Sequence, residues 1–116
     1  MRMIAKKPTI MIYTARPDEV VLREVCAGIE EEGVLYEVVA ALTGDPAVLA
    51  YAASDASMLG SGVAVCGTTV ALHIKGMEKG RSMLLYENAT SERARDAGAN
   101  SARVIKRLPF KLEEKN

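Results

Sequence analysis

The 116-residue sequence predicts an α/β domain with three layers in α/β/α order around a mixed five-stranded sheet. Three observations predict it. Short β-branched runs alternate with longer segments whose apolar residues recur at helical spacing. Prolines and acids open the longer segments, and glycines close them. Two apolar runs, GVAVCG and TVALHIK, are divided only by the Gly67–Thr68 region, which is too short for a crossover and therefore makes a hairpin.

Pro8 to Thr14 (PTIMIYT) is a compact apolar run and reads as a buried strand. In ARPDE, Pro17 suits the first helical position, and Asp18 and Glu19 favour the positive end of the helix dipole. Val21, Leu22, Val25, Cys26 and Ile29 then share one helical face, and Gly33 is the natural stop. Val34 to Ala40 is the second strand. Asp45 caps and Pro46 starts a second, Ala-rich helix, which Gly60 and Gly62 end. After the hairpin, MEKGRS makes a turn and MLLYEN a fifth strand. In the final helix, SERARDAGANSARVIKRL, the inner stripe is Ala94, Ala97, Gly98, Ser101, Ile105 and Leu108. Glu92, Asp96, Arg103 and Arg107 lie outside, and Pro109 stops the helix. Right-handed crossovers make the first three strands parallel, and the hairpin turns the fourth against them. The expected strand order is 2-1-3-4-5, in one domain spanning 1–116.

Composition narrows the function. Fifteen basic residues balance fifteen acidic ones, so no overall field draws the chain to nucleic acid or an anionic membrane. One Phe, four Tyr and no Trp make a poor base-stacking platform. Cys26 and Cys66 are the only cysteines, the first residues hold no long apolar run, and a cytoplasmic protein is expected. Neither a GxGxxG nor a GxxxxGK[ST] motif occurs, so Gly60-Ser61-Gly62 reads as a loop leaving a helix. The single histidine, His73, alternates with Val70, Leu72 and Ile74 and points away from their face. With no evident partner it reads as structural rather than as a base or ligand. The two cysteines, too far apart for CxxC, read as small core hydrophobes.

GIEEEG is the unusual stretch. Glu30, Glu31 and Glu32 occupy the last turn of the first helix, where each carboxylate costs about 0.3–1 kcal/mol against the dipole at low salt. Glu24, Ala27 and Glu31 lie opposite the apolar stripe with Gly28 alongside, so another chain could approach there. Two readings stay open from these residues: a solvated charge run, or a carboxylate that completes a cation site whose other oxygens belong to a partner.

LREVCAGIEEEGVLYEV (22–38) and AGANSARVIKRLPF (97–110), with the hairpin VAVCGTTVALHIK between them, resemble the small subunit of diol/glycerol dehydratase reactivase. That family is related to the medium subunit of the adenosylcobalamin-dependent dehydratases. The resemblance implies a non-catalytic subunit paired with a large, Hsp70-like, ATP-hydrolysing subunit in an α2β2 complex. Its client would be diol or glycerol dehydratase, from which subunit exchange releases damaged cobalamin. It further implies that Glu31 contributes to a Mg²⁺ shared with the large subunit, that ATP or ADP binds the partner, and that the complex works in the cytoplasm or in a bacterial microcompartment. RPDEVVLRE, TGDP (43–46) and GSGVAVCGT (60–68) depart from relatives, which bears on the choice of client. A medium-type dehydratase subunit and an unrelated small-ligand-binding α/β domain are the alternatives.

Overall fold

A computed structural model of the chain describes residues 7–41, 43–76 and 83–111. The elements are β1 (Thr9–Pro17), α1 (Glu19–Glu31), β2 (Leu35–Ala40), α2 (Pro46–Ala56), β3 (Ser61–Gly67), β4 (Thr69–Ile74), β5 (Met83–Tyr86) and α3 (Ser91–Arg103). The sheet order is β2-β1-β3-β4-β5, with β1 parallel to both β2 and β3, and β4 antiparallel to β3 and β5. The expected fold class and strand order hold. The expected MEKGRS turn lies outside the described residues.

α1 and α3 cover one face of the sheet. Their Val21, Val25, Ile29, Ala94, Ala97 and Ala102 pack on Ile10, Ile12, Val63, Val65, Val70 and Leu72. α2 covers the other face, with Leu49, Ala50, Ala53 and Ala56 against Met11, Ala64 and Ala71. β1 and β3 are therefore apolar on both faces, as central strands between two layers must be.

The first turn differs from expectation. Pro17 does not open α1; it ends β1, and Asp18 is the N-cap, accepting from the Val20 and Val21 amides. β1 runs past Thr14 because the ladder to β3 continues through a bulge at Arg16, whose φ of 46° is left-handed. A proline with no amide to donate is tolerated at such an irregular strand end. Asp45 and Pro46 cap and start α2 as expected, but α2 stops at Ala56, short of the glycines. Gly62 instead takes the close approach of α2, since a Cβ there would collide with the Ser54 amide. The Gly60-Ser61-Gly62 stretch is thus packing, and the Ser61 hydroxyl donates to the Ser101 carbonyl of α3 at 2.8 Å.

The end of α3 also differs. Arg107 takes a left-handed φ of 58°, and the Leu108 amide reaches back to the Arg103 carbonyl at 2.8 Å. The Arg107 amide bonds the Val104 carbonyl at 3.2 Å, so the chain closes in a Schellman turn before Pro109. Ile105 still packs on the core, but Leu108 is 41% exposed and leaves the expected inner stripe. Arg103, expected outside, is tucked between α1 and the chain after α3.

Candidate functional site: the acid–base seam between two parallel helices

α1 and α3 run side by side in the same direction, as their contacts show. Glu24 meets Arg95, Gly28 lies on Arg95 and Ala99, and Glu32 meets Arg103. Two parallel helices bring two negative C-terminal ends together. α1 has no basic residue in its last turn. The missing positive charge comes from α3 and the turn that follows it. Lys106 Nζ donates to the Glu32 carbonyl, at the α1 C-cap, at 2.7 Å. Lys106 Nζ also stands 3.6 Å from Glu32 Oε1, and Arg103 Nη1 donates to Glu32 Oε2 at 2.9 Å.

Each acid of GIEEEG therefore has its own environment. Glu30 accepts from the Tyr36 hydroxyl of β2 at 3.0 Å. Burial, then this bond, raises the Tyr36 phenol above its ordinary range. The Glu32 side chain is only 11% exposed and is held by two cations. Glu31 is 48% exposed, and its single contact among the described residues is a long one, Arg95 Nη1 to Oε2 at 3.4 Å. The same guanidinium grips Glu24, whose side chain is 20% exposed, much more closely, with Nε to Oε1 at 2.8 Å.

The expected open face is partly taken. Gly28 is buried, because a Cβ on it would collide with the Arg95 carbonyl and stand 2.8 Å from the Ala99 amide. α3 of the same chain, and not a partner, uses this small residue. Glu31 stays at the solvent edge of the seam.

Glu31 is open to a cation at the solvent edge of the seam. Its carboxylate is a hard oxygen donor suited to Mg²⁺. Among the described residues, no three His, Cys, Asp or Glu side chains converge to hold a metal. A single carboxylate of this kind supplies one oxygen ligand and no complete site.

The other residues weighed in the sequence are His73 and the two cysteines, and His73 is held by neighbours within the fold. The Ser54 hydroxyl donates to the Tyr51 carbonyl at 2.8 Å, which leaves its oxygen to accept from His73 Nδ1 at 2.7 Å. The Tyr51 ring meets the imidazole edge-on at 5.0 Å. Burial lowers the His73 pKa and raises the Cys26 and Cys66 thiols, the opposite of an activated nucleophile.

Two residues of the seam and its surroundings escaped the sequence reading. Arg95 sits between expected inner and outer positions of α3, and its partners are 64 and 71 residues away. Asn100 is buried and clamps the chain beyond α3. Its Oδ1 accepts the Lys111 amide at 2.6 Å, while Nδ2 donates to the Lys111 carbonyl at 3.1 Å and the Tyr86 hydroxyl at 3.0 Å. Arg103 Nε adds a 2.6 Å bond to the Pro109 carbonyl. The signal for Asn100 was present in the sequence: an amide flanked by small residues within a close-packing helix, where it must find partners or cost stability.

Sheet order, reversed fourth strand and sealed helix pair together define a class, a three-layer α/β domain built on a mixed five-stranded sheet. Residues 7–111 match the family of the dehydratase medium subunit. The chain is 30% identical over 105 residues to the propanediol dehydratase-reactivating factor small subunit of Salmonella typhimurium, covering 90% of each. It is equally 30% identical over 105 residues to the diol dehydratase-reactivating factor small subunit of Klebsiella michiganensis, covering 90% of this chain and 84% of the relative. Among solved structures, that of diol dehydratase-reactivating factor complexed with ADP and Mg²⁺ superposes with a TM-score of 0.79 at 28% identity, over 92% of this chain and 100% of that one. A glycerol dehydratase reactivase chain shares the fold with a TM-score of 0.80 at 23% identity, over 91% and 98%. The chain belongs to the dehydratase medium-subunit family, among its dehydratase-reactivating-factor small subunits.

Proposed function

We propose that this chain is the non-catalytic small subunit of an ATP-dependent reactivating chaperone for adenosylcobalamin-dependent diol or glycerol dehydratase. It pairs with an Hsp70-like large subunit, which binds and hydrolyses the nucleotide, in an α2β2 complex. The complex works in the cytoplasm, free or within a bacterial microcompartment. By exchanging subunits with an inactivated dehydratase it opens a route for damaged cobalamin to leave. Glu31 lends a carboxylate oxygen to a Mg²⁺ held jointly with the large subunit.

The observation that carries the cation role is the difference between neighbours. Glu32 is enclosed by Arg103 and Lys106, whereas Glu31 is half exposed with one long ion pair among the described residues. The likeness to a factor solved with ADP and Mg²⁺ supports the setting. A carboxylate–metal link also suits a subunit that changes partners, because competition breaks it more readily than a large dry core.

The test is reconstitution. This chain and a reactivase large subunit should together restore glycerol- or O₂-inactivated dehydratase with ATP, and neither alone should do so. Glu31→Gln should weaken association with the large subunit in Mg²⁺ and leave the EDTA value unchanged. Equal affinities for both proteins in both buffers would remove the shared ion. The matching family also favours a second reading, a medium-type subunit of a dehydratase itself. Diol turnover on mixing this chain with large and small dehydratase subunits would establish that reading instead.

A further inference from the structure

Arg95 joins two carboxylates of unequal availability. Its Nε holds Glu24 at 2.8 Å, while Nη1 reaches Glu31 at 3.4 Å. Glu24 and Glu31 lie two turns apart on one stripe of α1, so a single planar guanidinium can span them. The backbone beneath is fixed, since the Arg95 carbonyl lies against Gly28. Motion in this part of the seam is thus left to the side chain, which is 44% exposed.

We propose that Arg95 is the internal placeholder for the cation at Glu31, and that Glu24 is the carboxylate to which it withdraws. The inference rests on the shared-cation reading above and adds its regulation. In the free subunit the guanidinium neutralises Glu31 and orients it at the seam. When a divalent ion and a partner's oxygens approach, Nη1 gives up the long contact and Nε keeps the short one, so the arginine is never left without an anion. Its charge remains close to the site and opposes the ion, which holds affinity low enough for exchange. Arg95 and Glu24 are therefore positioning residues that pull in opposite directions: one weakens Mg²⁺ binding at Glu31, and the other draws that weakening influence away.

The test uses the full chain with a reactivase large subunit and reads the Mg²⁺ concentration for half-maximal association by calorimetry or surface plasmon resonance. Arg95→Gln should lower it about two- to fivefold, the equivalent of losing one half-exposed ion pair. Glu24→Gln, which leaves Arg95 to Glu31 alone, should raise it. Opposite shifts are a signature that loss of a merely structural contact would not produce. Arg95→Lys keeps the charge but loses the two-pronged reach; it should also lower the half-point and serves if Arg95→Gln does not fold. Shifts of Arg95→Gln and Glu24→Gln in the same direction, or no shift from Arg95→Gln or Arg95→Lys while Glu31→Gln abolishes Mg²⁺ dependence, would overturn the placeholder and leave the shared ion standing. A Glu31→Gln protein with unaltered Mg²⁺ dependence would overturn both.

Discussion

Gly98 of α3 rests directly on the Val25 carbonyl of α1, so close that no Cβ fits between them. Gly28 makes the reciprocal contact from α1 onto α3, against the Arg95 carbonyl. The pair lets the helix axes approach closely enough for the charged seam to close over them.

Gly98→Ala should therefore destabilise the domain despite alanine's better helix propensity. The propensity gain is about 1 kcal/mol. Forcing a methyl into packed backbone costs typically about 1–3 kcal/mol, and here the neighbour is a carbonyl that cannot rotate away. A fall in the urea midpoint at constant m is expected. Gly33→Ala is the contrast, because nothing lies within 4 Å of its Cβ position and only its φ of 74° opposes the change.

Glu32→Gln should cost about 1–2 kcal/mol, since it weakens the charge-assisted bond to Arg103 and removes the ion pair with Lys106 in a largely enclosed setting. Glu31→Gln should cost less than about 0.5 kcal/mol, as expected for an exposed pair. Thermal unfolding of both variants in one buffer checks the order. Equal losses would mean that the seam does not distinguish the two acids.

Asn100→Ala should release the chain beyond α3. The substitution removes both bonds to the Lys111 backbone and the bond to Tyr86, at a cost of about 1–3 kcal/mol. Amide hydrogen exchange at Lys111 should quicken by far more than exchange in β1 or β3, which checks that the effect is local.

His73 should make stability depend on pH in a narrow window. Burial holds its folded pKa below the ordinary 6.5, so just below that value the unfolded chain takes up a proton that the folded domain resists. Stability then rises with pH across the window and is lost as pH falls through it. His73→Gln keeps a polar partner for Ser54 and should flatten the dependence just below the ordinary histidine range. Urea midpoints at a series of pH values provide the measurement.

The layered fold was legible because its signals are local. Short strands, Asp45–Pro46 at the start of α2 and a hairpin too brief for a crossover each restrict topology within a few residues. The boundary that moved, at Pro17, did so because pairing with β3 continued through a bulge, a contact between segments some 50 positions apart. The sequence places Gly98 on the inner stripe of the final helix, but the reason for a glycine there lies on α1.

The candidate site divides in the same way. The run of acids at the end of α1, Glu31 included, is visible in the sequence, as is the basic end of α3, because both are contiguous. Which acid would be buried by cations, which would face solvent, and that Arg95 would stand between Glu24 and Glu31 depended on the angle and spacing at which the two helices pack. The sequence by itself determined the elements, their order and the charges each would carry, since propensity, capping and hydrophobic period act over a few residues. Only the tertiary structure decided how those charges pair, because Coulomb and hydrogen-bond energies depend on distances between residues that the chain holds far apart until it folds.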